Sequence, residues 1–196
     1  MLVVLLIGAA CGIVWERLRG AEATHRRIAA ARATWASTRN DASLDADGPA
    51  DPRDAAVALP RGWRVTAARG RLRFRVSGTT VRAETWVLRA QDGSRRAPRR
   101  REIVAADAPT GGIRLLVPIG DSADSLLVAP AWAHDTQPPE PAWGAAVRAR
   151  VARHDDLLAA LTIGDDRVVL LALDDPRPCT MLARARLVRD VVAMIP

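Results

Sequence analysis

Arg71-Leu72-Arg73-Phe74-Arg75-Val76 sets charged and apolar residues in strict alternation. In an extended chain successive side chains point to opposite sides, so this stretch places Leu72, Phe74 and Val76 on one face of a sheet and three arginines on the other. Working outward, residues 63–68 (WRVTAA), 79–90 (TTVRAETWVLRA), 101–106 (REIVAA), 112–119 (GIRLLVPI) and 125–129 (SLLVA) have the same strand-like character. So do residues 145–152 (AAVRARVA) and 167–173 (RVVLLAL), while 157–163 (LLAALTI) fits either a strand or a short helix capped by Asp155 or Asp156. Turn signals such as Arg69-Gly70, Ser77-Gly78 and Gln91-Asp92-Gly93-Ser94 separate them. The period then changes: Met181, Ala185, Val188, Val192 and Ile195 step by four and three after Pro178, with Thr180 as N-cap of a terminal amphipathic helix. The expected fold is mainly β, a small antiparallel barrel or sandwich with a C-terminal helix, preceded by an N-terminal transmembrane helix.

The membrane helix is read from the start of the chain. Leu2 to Trp15 is uncharged, and the run reaches Leu18 if Glu16 and Arg17 extend toward the interface. That is short of the ~20 apolar residues of a comfortable span. A secretory signal places its basic residues before the apolar core, whereas here the arginines follow it. Ala21-Glu22-Ala23 has the spacing of a cleavage site but comes after charged residues, and Cys11 lacks the basic start of a lipoprotein signal. Six arginines between Glu16 and Arg39 mark that flank as cytoplasmic. The expectation is an uncleaved anchor over 1–18, a juxtamembrane helix over 19–37, an Asp/Pro/Ala-rich linker over 38–59, and a β-rich globular domain over 60–196 on the cytoplasmic side of the cell membrane. The alternative is an exported envelope protein in which the same run serves as signal or lipid anchor. Gly8 and Gly12 form a small-xxx-small pair that lets two anchors approach. Val14, Leu18, Ala21, His25, Ile28, Arg32 and Trp35 make a weak heptad seam, so a homodimer is one expected partner state.

Composition narrows the chemistry. All 29 basic residues are arginine, against 22 acidic ones, leaving a net charge of +7. Guanidinium groups pair with phosphate in a fixed fork, so the balance suits an anionic partner. Aromatic residues make up only 4 % of the chain, which argues against a stacking platform for nucleic acid. Two cysteines, Cys11 and Cys179, cannot form a disulfide framework. Ser94, Ser122 and Ser125 sit in no nucleophile elbow, and the neighbours His134-Asp135 and His154-Asp155 point to opposite faces in an extended segment. Histidines and cysteines lack zinc spacing, Asp45, Asp47 and Asp51 lack the pattern of a calcium loop, and neither a P-loop nor a dinucleotide fingerprint occurs. The reading is therefore non-enzymatic, with no catalytic residue, metal or cofactor assigned; a hydrolase using His134 or His154 is the alternative. Arg95, Arg96, Arg99, Arg100 and Arg101 form the densest charge cluster, a candidate contact for an anionic lipid surface.

One stretch carries a family resemblance. Asp107-Ala108-Pro109-Thr110-Gly111-Gly112, followed by an apolar strand, resembles the second motif of PilZ domains, and Arg71-Leu72-Arg73-Phe74-Arg75 resembles their first, Arg-x-x-x-Arg. Pro109 stands where that motif has Ser, which removes a hydroxyl and an amide donor. The resemblance covers Arg71 to the end and implies a β-barrel closed by a helix that binds cyclic di-GMP. It gives Arg71 and Arg75 the phosphates and guanine faces, Asp107 a guanine edge, and Gly112 the close approach of ligand to backbone. A membrane-tethered interaction module with a protein or nucleotide partner is the function expected.

Overall fold

The computed structural model describes residues 23–24, 26–93, 97–119, 130–134, 139–154, 159–175 and 177–196. The anchor expected over 1–18, with Gly8 and Gly12, lies outside them. Among the described residues no helix is long and apolar enough to cross a membrane.

Seven strands form one antiparallel sheet: β1 (Ala42–Asp45), β2 (Trp63–Val76), β3 (Thr79–Ala90), β4 (Arg99–Asp107), β5 (Leu115–Ile119), β6 (Ala159–Gly164) and β7 (Arg167–Leu173). Their order is β1-β2-β3-β4-β7-β6-β5. Among the described residues β1 and β5 remain open edges, so the sheet is neither the closed barrel nor the two-sheet sandwich expected from sequence. The reason lies in the central strands. β4 from Glu102 to Ala106 and β7 from Arg167 to Ala172 are buried on both faces, and a sheet of that kind needs a covering layer on each side.

Helices supply both layers. α1 (26–37), α3 (Gly144–Val151) and α4 (Pro178–Val192) lie over the face that carries Leu72, Phe74, Val81, Val104, Leu161 and Leu170. α2 (Pro52–Ala58) covers the other, with Trp63, Trp86, Ile103, Val169 and Leu171 beneath it. Each such fully buried side chain contributes about 1.5–3 kcal/mol, so two modest cores do the work of one. Trp132, in the short 3-10 turn Ala131–His134, ties into the second layer by donating from Nε1 to the Val57 carbonyl at 2.9 Å.

Several sequence expectations are corrected here. Residues 38–59 are no linker: they hold β1, which pairs with β2, and α2, whose Val57 and Ala58 are buried. The helix that runs to residue 37 belongs to the core rather than standing between membrane and domain. Ile28, Arg32 and Ala36 are buried, and Trp35 meets Phe74 edge-on at 5.0 Å. The seam read as a dimer contact thus packs, at Ile28, Arg32 and Trp35, against its own chain. Residues 145–152 form α3 rather than a strand, because Val147 and Val151, four apart, are the two side chains that reach the core. The terminal helix starts earlier than expected, with Pro178 in its first turn and Arg177 rather than Thr180 as N-cap.

The segments 63–68 and 71–76 fuse into one long strand through Gly70, where the register with β3 shifts. Gly70 has φ +56°, a conformation glycine adopts without strain. A Cβ there would stand 3.3 Å from Arg32 Nη1, the atom that donates to the Gly70 carbonyl at 3.0 Å. The turn signals Ser77-Gly78 and Asp165-Asp166 close two-residue hairpins, with both central residues at positive φ.

Candidate anion-binding cleft

Strand alternation puts two sets of ionic groups on opposite faces. On the α1/α4 face, Glu102 of β4 sits between Arg32 and Arg184. Arg32 Nη2 donates to Glu102 Oε1 at 2.6 Å, and Arg184 Nη1 donates to Glu102 Oε2 and, at 2.8 Å, to the Leu173 carbonyl. Side-chain exposures of 2 % for each arginine and 0 % for Glu102 seal this triad from solvent. It joins α1, β4 and α4 and offers nothing to a ligand.

The α2 face is organised differently. Asp51 caps α2 by accepting from the Arg53 amide at 2.9 Å, and its Oδ2 also accepts from Arg82 and Arg167, each at 3.1 Å. Asp54, fully buried one turn on, takes Arg82 Nη2 and lies 3.5 Å from Arg167 Nε. Arg167 Nη1 reaches Asp107 at 2.8 Å. One strand over, Glu84 accepts from Arg71 Nε at 3.0 Å and from Trp86 Nε1 at 2.6 Å. Burial raises the Asp51 carboxyl, but the Arg53 amide and the Arg82 and Arg167 charges outweigh it and hold the group below its ordinary range. Burial likewise lowers Arg167, against the pull of Asp107.

Above this floor lies a cleft of about 250 Å³ lined by Arg53, Arg73, Thr80, Arg82, Asp107 and Arg167, with Ala105 and Ala106 at its base. Its mouth is basic. Arg53 and Arg73 are 63 % and 58 % exposed, and their nearest carboxylates, on Asp51 and Asp45, stand 3.8 and 3.6 Å away, beyond hydrogen-bond length. Arg75, exposed, is the strand partner of Thr80. Asp51, Asp54 and Asp107 each lie beside a guanidinium, with Asp54 Oδ1 buried and without a hydrogen-bond partner among the described residues. The arrangement can hold an anion.

The residues singled out from sequence fall into three groups. Arg71, Arg75 and Asp107 do share one sheet face: Arg75 neighbours Thr80 at the mouth, Asp107 lines the cleft, and Arg71 is engaged by Glu84. Gly112 does not line it. At φ +79° it completes the turn between β4 and β5, and that loop is clasped to the β6–β7 hairpin by Thr110, whose amide donates to Asp166 Oδ1 at 3.0 Å. Of the arginine cluster, Arg99, Arg100 and Arg101 are half-buried strand residues at the start of β4, with Arg99 stacked 5.0 Å above the Trp63 ring, while Arg95 and Arg96 lie outside the described residues. His154 follows α3, half-buried, and His134 ends the 3-10 turn.

Arg53, Arg82, Arg167 and Asp54 were not singled out, and Asp51 was weighed only as a calcium ligand. A local signal for the acids existed: Asp51-Pro52 is an N-cap followed by proline in the first turn, which marks a helix start inside the supposed linker. No protein-family model, curated protein or solved structure matches the chain.

Proposed function

We propose that the chain is a non-enzymatic binding module, held at the cell membrane by its apolar N-terminal run and presenting its β domain to the cytoplasm, where it takes a phosphate-bearing ligand. The observation that carries this reading is the sheet face on which Arg73 and Asp107 line a basic cleft, with Arg75 on the same face as strand partner of its Thr80. Cyclic di-GMP, the ligand implied by the PilZ resemblance, is the first candidate. Two phosphates suit several guanidinium forks, and Asp107 accepts from a guanine edge once it turns from Arg167. The tether rests on the uncharged run Leu2 to Trp15 and the arginine-rich flank that follows it.

The test is calorimetric titration of the full chain in neutral detergent with cyclic di-GMP. Saturable binding that weakens about tenfold in Arg75→Ala and Asp107→Ala, the worth of one charged hydrogen bond, supports the reading. Absence of heat from a folded chain rejects cyclic di-GMP. Recovery of the chain in the soluble fraction after cell disruption rejects the tether.

A further inference from the structure

We infer that the mouth of the cleft is a seat for a phosphoryl group, gripped by the Arg53 side chain from α2 and the Arg73 side chain from β2, with the Thr80 hydroxyl as a third donor from β3. The inference deepens the binding-module reading and rests on its claim that this face takes a phosphate-bearing ligand; it does not depend on the identity of that ligand.

Three features of the cleft lead to it. The first is the division of labour among the arginines. Arg82 and Arg167 are spent on Asp51, Asp54 and Asp107, and fix the floor. The Arg53 and Arg73 side chains donate no hydrogen bond among the described residues, and their closest carboxylates stand at 3.8 and 3.6 Å. They keep their full sets of N–H donors, presented from two elements across a concave surface rather than scattered over a convex one. The second is the chemistry of the donors. Two planar forks and a hydroxyl, lining one cleft from three elements, suit the tetrahedral oxygens of a phosphoryl group, while a flat carboxylate is satisfied by a single fork. The third is size. A volume of about 250 Å³ falls below the ~300–1,000 Å³ of pockets that enclose whole organic ligands. The seat therefore takes a phosphate, a pyrophosphate or the phosphoryl end of something larger, whose remainder lies outside, toward Arg75.

The floor explains why such a seat stays built when empty. Asp51 holds Arg82 and Arg167 and caps α2, so the helix turn that carries Arg53 is fixed to the strands that carry Thr80 and Arg73. Charge is accumulated without collapse because each buried guanidinium has a buried carboxylate partner. The two outer arginines, held by no more than long ion pairs to Asp51 and Asp45, are the ones placed to meet an incoming anion.

The test uses the full chain in neutral detergent at moderate salt, titrated with pyrophosphate by calorimetry. Binding is expected, weakening about tenfold in Arg53→Gln and again in Arg73→Gln, as the loss of a charged hydrogen bond requires. Thr80→Val should weaken it by a few-fold, about the worth of a neutral hydrogen bond. Arg153→Gln, an exposed arginine after α3, removes the same charge elsewhere and should leave binding unchanged; equal loss in this variant would reduce the effect to net charge and overturn the seat. Thermal unfolding of each variant, unchanged at these exposed positions, separates lost binding from lost fold. Pyrophosphate binding without cyclic di-GMP binding keeps the seat and removes that ligand. Cyclic di-GMP binding that is indifferent to Arg53→Gln and Arg73→Gln keeps the broader reading and removes the seat. Displacement of pyrophosphate by phosphatidic acid added to the micelles would identify the phosphoryl source as a lipid headgroup; failure to displace would identify a soluble compound.

Discussion

On one face of the sheet Glu102 holds Arg32 and Arg184 beneath two helices; on the other, Asp51, Asp54 and Asp107 hold Arg82 and Arg167 at the floor of an open cleft. The chemistry is the same and the solvent access is not. Where α1 and α4 close over the charges, both Glu102 oxygens are taken and the triad acts as a rivet between chain segments 70 and 82 residues apart. Where the seven-residue α2 covers only part of the sheet, the inner arginines are hydrogen-bonded to buried carboxylates and the outer two hold only long, exposed ion pairs. A guanidinium-carboxylate cluster is therefore closed to ligands or open to them according to what covers it, and burial is the property that separates the two faces here.

That contrast makes graded predictions. The largest effect belongs to the closed face. Glu102→Leu leaves two arginines buried without their shared partner and should cost about 3–5 kcal/mol in urea unfolding, while replacing Arg32, Glu102 and Arg184 together by Met, Leu and Met should recover most of that loss. If the single variant costs no more than a surface change, the triad is not the rivet described. Next comes Asp54→Ala on the open face, expected to cost about 2 kcal/mol, since Arg82 and Arg167 lose one buried partner but retain Asp51. A cost equal to that of Glu102→Leu would erase the difference between the faces.

The pH dependence is smaller. Asp175 is held down to about 2, first by hydrogen bonds from Arg177, and Asp51 is also depressed by its amide and arginine partners despite burial. A carboxyl depressed in the folded state binds its proton more readily in the unfolded chain. Its contribution is complete above the unfolded value near 3.8 and fades as pH falls toward 2. Because Arg177 is exposed, the Asp175 share should be under about 1 kcal/mol, measured as the drop in urea midpoint below pH 4. Arg177→Ala should flatten that part of the curve. The smallest stability effect is expected at the cleft mouth, where Arg73→Gln should shift unfolding by less than about 0.5 kcal/mol, as at other exposed positions.

The sequence made one face of the sheet legible and hid the other. Alternation at Arg71 to Val76 is visible because that end of β2 is apolar on one side and wet on the other. Ile103 to Ala106 of β4 and Val168 to Ala172 of β7 are apolar without alternation, because both faces there are covered, and such runs do not say which residues face which layer. The three-layer arrangement was missed for that reason. α3 was misread because an eight-residue stretch with two valines four apart satisfies a strand count and a helix face alike. Within the site, the outward arginines of β2 and Asp107 could be seen locally. Arg167 could not be joined to Asp51, 116 residues earlier, since only the fold brings them together. Arg32 illustrates the same limit: in sequence it spoiled an apolar seam, and in the structure it joins that helix to Glu102, 70 residues on.

The central claim, that the open face is built for an anion and the closed face for stability, is tested most directly by hydrogen–deuterium exchange of the full chain with and without pyrophosphate. The account expects added protection in peptides spanning α2 and the β2–β3 hairpin around Arg73 and Thr80, with α1 and α4 unchanged. Protection spread evenly over both faces, or none around Arg73 and Thr80, would contradict it.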